Sequence, residues 1–304
     1  MKYDMLTILG ATASGKTSLA ANLAYVLNGE ILSADSRQVY KNMNLGTGKD
    51  LDDYYVKNKE IKTHLIDIVD AGYKYNIYEY QCDFLNAYRD IIKRRKFPVL
   101  CGGSGMYIEA VLKGYKLISV PADDSFRELC KSKNTDDLIE MLKEYKKTHN
   151  VSDTNDRKRL IRAIEIEKYY ANHPEINLNY PKISSLLVGI KYDRDSRRKR
   201  ITQRLKQRFD DGMLDEVKCL LDNGVSSDTL KYYGLEYKFI TQHILGEITY
   251  NEMFSNLNTA IHQFAKRQMT WFRRMERNGI EINWLDGSLD QNEKIKIVLA
   301  LLKK

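Results

Sequence analysis

The chain has 304 residues, 43% hydrophobic and 30% charged, which supplies a core and excludes disorder throughout. Its formal net charge of +8 suggests a polyanionic partner. It has no N-terminal apolar h-region and no run of about 18 apolar residues, so no secretory signal or membrane span is expected. The four cysteines, Cys82, Cys101, Cys130 and Cys219, never form C-x-x-C. That spacing argues against a disulfide framework or zinc cluster and for a cytoplasmic setting.

In chain order, Met5 to Leu9 is a short apolar run before Gly10 and reads as a buried strand. Ser14 to Leu27 has helical spacing, with Leu19, Leu23 and Leu27 on one face. Glu30 to Ser33 is a second strand, ending at Ala34-Asp35, and His64 to Val69 a third. Ile77 to Arg95 is an amphipathic helix with a basic end. Phe97 to Cys101 is a strand, followed by Gly102-Gly103 and a helix from Ser104 to Leu112. This alternation predicts an α/β fold with a parallel sheet over residues 1–115.

Residues 116–185 read differently. Asp136 to Thr148 and Asn155 to Tyr170 are charged helices with no strand between them, punctuated by Pro121, Pro174 and Pro181. This stretch is expected to be an inserted helical domain. Leu186 to Ile190 resumes the sheet, and residues 186–304 continue the core with long helices. These are predicted over Ser196 to Gln207, Leu214 to Leu221, Leu235 to Ile244 and Tyr250 to Arg277. A late strand follows over Ile280 to Leu285, then a last helix over Gln291 to Leu302. Residues 1–115 carry net +2, 116–185 net +1 and 186–304 net +5. The excess gathers in Lys191 to Arg208, with nine basic and two acidic residues, and in Lys266 to Arg277.

Gly10-Ala11-Thr12-Ala13-Ser14-Gly15-Lys16-Thr17 matches G-x-x-x-x-G-K-[ST] between a strand and a helix. Glycines let backbone N–H groups face a phosphate, and the helix N-terminus adds positive potential. Lys16 supplies a mobile charge, and the Thr17 hydroxyl suits a magnesium ion. A motor ATPase needs an aspartate after a strand as well. Asp67, in His64-Leu65-Ile66-Asp67, is the one tolerable candidate, though mid-strand. Asp35 lies at the carboxyl end of the second strand, where ligands of such sheets bind. A carboxylate there can accept a proton or simply cap a turn.

Ser33-Ala34-Asp35-Ser36-Arg37-Gln38-Val39-Tyr40 and Gly46-Thr47-Gly48-Lys49 sharpen the reading. With the phosphate loop they resemble the tRNA dimethylallyltransferases, or tRNA isopentenylpyrophosphate transferases. Further matches follow in order: Thr63 to Asp67, Gly102-Gly103-Ser104-Gly105-Met106-Tyr107, Asn155 to Glu165, Arg200-Ile201 through Arg204, and Ala265 to Arg273. They span nearly the whole chain.

The resemblance implies a P-loop NTPase-like core carrying an inserted helical domain that contacts tRNA. It implies transfer of a dimethylallyl group from dimethylallyl diphosphate to N6 of the adenosine 3′ of the anticodon, with Mg2+. By resemblance, Asp35 is the general base, while Lys16, Thr17 and Arg204 serve the departing diphosphate. A guanidinium fork suits that task. Ser36, Arg37 and Gln38 would line the path of a flipped base. Ser104, Arg127, Lys158, Arg159, Leu160, Ile161, Arg162, Lys266, Arg267 and Gln268 match positions assigned to the tRNA anticodon stem-loop. A monomer is expected.

Three stretches depart from the family pattern. Ile261-His262-Gln263 lacks an arginine, Gly234-Leu235-Glu236-Tyr237-Lys238 aligns only with an insertion, and Arg208 stands where methionine is usual. The phosphate loop and Asp35 would equally serve a small-molecule P-loop enzyme, a kinase or an adenylate isopentenyltransferase. The basic C-terminal part and the 116–185 insertion favour an RNA substrate.

Overall fold

The computed structural model describes residues 2–145, 156–173 and 180–304. The chain divides into two units, Met1–Tyr115 with Pro181–Lys304, and Lys116–Tyr180. The elements in order are β1 (Met5–Gly10), α1 (Lys16–Val26), β2 (Gly29–Ala34), the strands β3 (Tyr55–Val56) and β4 (Lys59–Glu60), and β5 (Thr63–His64). There follow α2 (Ile77–Lys93), β6 (Phe97–Gly102), α3 (Gly105–Lys113), α4 (Asp124–Lys131), α5 (Thr135–Tyr145) and α6 (Arg157–Asn172). The rest comprises β7 (Ser185–Lys191), α7 (Arg194–Asp210), α8 (Met213–Asp222), α9 (Ser227–Tyr233), α10 (Leu235–Ile244), α11 (Tyr250–Arg277), β8 (Asn283–Asp286) and α12 (Gln291–Lys303).

The larger unit is built on a six-stranded sheet in the order β5-β2-β6-β1-β7-β8, parallel at every pairing. β1 and β6 are buried along their whole length and apolar except for Thr7, as a parallel sheet covered on both faces requires. Ile8 is paired with both Cys101 and Val188. This register brings the carboxyl ends of β1, β2 and β6 to one edge. α1 packs Leu19 and Leu23, both fully buried, onto the sheet. Each such leucine contributes about 1.5–3 kcal/mol. α2 and α11 start at capping boxes, Asn76 with Glu79 and Thr249 with Glu252.

The smaller unit packs α4, α5 and α6 around Phe126, Cys130, Leu138, Leu142, Leu160 and Ile164. Sequence reading missed α4, a short helix whose signal is the N-cap Asp123 accepting from Phe126 N–H at 2.9 Å. The unit ends at Tyr180, not 185. Ser184 is tied to the sheet unit, its carbonyl accepting from Asp4 N–H at 2.8 Å and its N–H reaching Asp4 Oδ2 at 2.9 Å. Of the expected features here, residues 146–148 of the first helix, Asn155 and Pro174 lie outside the described residues.

The strand expected over His64 to Val69 is corrected to the two residues of β5. Leu65 and Asp67 have φ of 65° and 55°, which breaks the extended path. Asp67 therefore does not lie mid-strand. It forms an ion pair with the buried Lys49, whose Nζ also donates to the Tyr40 carbonyl. Among the described residues, no helix is long and apolar enough to cross a membrane.

Candidate active site

The phosphate loop leaves the sheet at Gly10 and enters α1 at Lys16. Ala13 and Gly15 take left-handed backbone angles, φ 61° and 78°. At Gly15 this is strain-free only because no Cβ is present. Such turns rotate N–H groups towards a common centre, beside the positive end of α1. The loop is braced from outside. Thr12 N–H donates to Gln268 Oε1 at 2.9 Å, and Arg200 Nε donates to the Ala13 carbonyl at 3.0 Å. Burial lowers the pKa of the Lys16 ammonium, partly opposed by Cys101; Arg204 lowers it further, while Asp35 and Asp50 raise it. Beside it, burial pushes the Cys101 thiol up to about 12, so that sulfur is an inert neighbour.

The loop forms one wall of a cavity of about 900 Å³. Asp35, at the end of β2, lines it together with Ser36, Arg37 and Ser104. Asp35 Oδ1 accepts from Arg37 N–H at 2.9 Å, which fixes the carboxylate's orientation. Ser104 precedes α3 but makes no side-chain cap; its Oγ accepts from Ser36 N–H at 3.0 Å, tying the β2 and β6 turns together. Arg37 lies over the exposed Tyr232 ring at 5.6 Å. Gln38 is buried, accepting from Ser33 Oγ at 3.1 Å and donating to the Gly48 carbonyl at 3.0 Å. It braces the cavity wall through those bonds.

The opposite chemistry comes from α7. Arg200, Arg204 and Arg208 recur every fourth residue, share one face and all line the cavity. Arg204 is ion-paired with Asp50, and Arg208 Nη2 lies 3.4 Å from the same carboxylate. Burial, and then Arg208, lower the Arg204 pKa, with Asp50 opposing. Burial and Asp50 raise the pKa of Asp53, and Arg204 pulls it back. Glu236 is likewise raised by burial and restrained by Arg208. The sequence carries no sign of Asp50 or Asp53, and it shows Arg200 and Glu236 only as members of longer stretches without a role of their own. The four-residue arginine spacing was the available signal, though not which face it would serve.

The loop carrying Asp50 is held by one carboxylate. Glu216 Oε2 accepts from Asn44 N–H at 2.8 Å and Leu45 N–H at 2.7 Å, and Oε1 from Gly46 N–H at 3.0 Å and Tyr237 OH at 2.7 Å. This explains why Glu216 and Tyr237 bear on a site from helices distant in sequence.

Among the remaining expected contacts, Lys266 and Arg267 are exposed, and Arg267 lies over the partly exposed Phe264 ring at 5.9 Å. Gln268 is buried, its Nε2 donating to the Gly103 carbonyl at 2.9 Å, so its amide serves the loop internally. Ile261 lines the cavity, and His262 approaches Thr202 Oγ1 at 3.3 Å. In the smaller unit Lys158 and Arg159 are exposed. Arg127 and Arg162 hydrogen-bond the buried Glu165 at 2.7 and 2.9 Å. Leu160 is corrected to a core residue, fully buried, with Ile161 packed beside it.

Among the described residues no group of three or more His, Cys, Asp or Glu is arranged to hold a metal. The Thr17 hydroxyl and the Asp35, Asp50 and Asp53 carboxyls do line the cavity. Such a sparse oxygen set fits magnesium carried largely by substrate phosphates.

A family model for IPP transferase matches residues 38–275, and one for isopentenyl transferase matches residues 3–71. The tRNA dimethylallyltransferase 2 of Phocaeicola vulgatus is 56% identical over 301 residues, covering 99% of this chain and 98% of that protein. The fold is similar to the full-length tRNA isopentenylpyrophosphate transferase of Bacillus halodurans, with a TM-score of 0.73 and 29% identity over 99% of this chain and 96% of that one. A eukaryotic dimethylallyltransferase crystallised acting on tRNA shares the fold, with a TM-score of 0.79 at 21% identity, over 98% of this chain and 79% of that one.

Proposed function

The chain belongs to the tRNA dimethylallyltransferase family, and from that premise we propose how its cavity works. The protein is a prenyltransferase that modifies tRNA. In our reading the donor is dimethylallyl diphosphate and the acceptor is N6 of the adenosine 3′ of the anticodon. The observation that carries this is the joint lining of one cavity by Asp35 and by the cations Lys16, Arg200 and Arg204.

The acceptor amine attacks the carbon bonded to the diphosphate oxygen, a C–N bond forms and the C–O bond breaks. The amine proton passes to the Asp35 carboxylate, oriented by Arg37 N–H. Negative charge developing on the departing diphosphate is held by the loop N–H groups, Lys16 and Arg204. Magnesium, held by Thr17 and the diphosphate itself, would neutralise part of that charge. The adenine must leave its stack to reach Asp35. Ser36 and Arg37 would border its path, with Ser104 holding Ser36 in place. Lys266 and Arg267 of the larger unit would meet RNA phosphates, as would Lys158 and Arg159 of the smaller one, where Glu165 holds Arg127 and Arg162.

The test is to incubate the protein with dimethylallyl diphosphate and magnesium, and either an anticodon stem-loop with an adenosine 3′ of the anticodon, or AMP. One prenyl mass added to the stem-loop, and abolished by a chelator, is expected. Prenylation of AMP alone would instead make it a free-nucleotide enzyme.

A further inference from the structure

Arg208 is nine-tenths buried, yet its only ion-pair partner among the described residues is Asp50, at 3.4 Å, and that carboxylate is already paired with Arg204. Its Nε is buried with no hydrogen-bond partner. The guanidinium lies against Gly48, where an added Cβ would fall 2.3 Å from Nη2, so a hydrogen at residue 48 is what admits it. Two guanidiniums thus share one carboxylate on the wall of a cavity that also holds Lys16. Buried positive charge with too few acceptors is costly until an anion supplies them.

We propose that Asp50 is a placeholder counter-ion that gives up Arg204 and Arg208 to the donor's diphosphate, making Arg208 a second diphosphate-binding arginine. A diphosphate offers more oxygen acceptors than one carboxylate, and both forks lie on one face of α7, four residues apart. When pyrophosphate leaves, Asp50 re-forms its pairs and competes against product rebinding. This inference rests on the donor-cavity reading above.

The test is calorimetric binding of inorganic pyrophosphate with magnesium to the full chain, with a thermal melt of each variant. Arg208→Met is expected to weaken pyrophosphate at least tenfold, and Arg208→Lys by an intermediate factor. Asp50→Asn is expected to tighten it several-fold, because the competing carboxylate is gone. A merely structural role for Asp50 gives the opposite sign, so that variant decides even if Arg208→Met fails to fold. Pyrophosphate affinity within twofold of the parent in both Arg208 variants, or weakened in Asp50→Asn, overturns the proposal. Absence of pyrophosphate binding by the unaltered protein overturns the donor-cavity reading itself.

Discussion

Gln268 accepts a hydrogen bond from Thr12 N–H at 2.9 Å across 256 residues of sequence, so α11 sets the shape of the phosphate loop. Its other end donates to Gly103, linking the loop to the turn after β6. Gln268→Ala removes both bonds and leaves a buried N–H and carbonyl unsatisfied, at about 1–3 kcal/mol each. Donor affinity should fall about tenfold while stem-loop affinity changes by less than threefold. If stem-loop binding suffers most, Gln268 contacts RNA directly.

Asp35→Ala should abolish prenyl transfer, because the acceptor amine then has no positioned base. Stem-loop affinity should stay within a few-fold, measured by filter binding. A variant that loses binding and keeps single-turnover chemistry would refute the base assignment.

The basic clusters on α7 and α11 predict a steep fall of tRNA affinity with salt. Six to ten phosphate contacts would lower affinity by about 10³–10⁵ between 50 and 200 mM salt. A flat response would mark that charge as ordinary solvated surface.

Burial alone would raise the pKa of Glu165, but the hydrogen bonds from Arg127 and Arg162 outweigh it and hold it below its ordinary 4.5. A carboxylate lowered on folding stabilises fully above its unfolded pKa and loses that contribution as pH falls through the folded value. The smaller unit should therefore loosen below about pH 4.5, read as faster hydrogen exchange in α4 and α6. Glu165→Gln should bring part of that loosening to neutral pH, by about 1–2 kcal/mol given the half-exposed arginines. Unchanged exchange at pH 7 would show that the three side chains do not hold these helices together.

Much of this architecture was readable because parallel strands buried on both faces are continuous apolar runs. β1, β6 and β7 announce themselves that way, largely apolar along their length, while β2 shows only Ile31-Leu32 between Glu30 and Ser33; the phosphate loop follows β1 at its carboxyl end. β5 did not announce itself, since Leu65 and Asp67 take left-handed angles that neither residue type signals, and Asp67 is ion-paired with Lys49, far from it in sequence. The cavity's acidic side was hidden for a similar reason. Asp50 and Asp53 lie in an unremarkable polar stretch and matter only because the chain folds them against α7. Gln268 sat in a motif that resemblance assigned to RNA, whereas its burial shows both amide ends used within the protein.

β1 lies between β6 and β7, and β7 begins at Ser185. A ribosome adding about 5–20 residues per second reaches that strand on the order of ten seconds or more after β1 emerges. Through that interval one edge of the most apolar strand has no partner, and the Gln268 brace is made later still. Nascent chains stalled before residue 185 therefore expose an aggregation-prone edge and cannot complete the phosphate cradle.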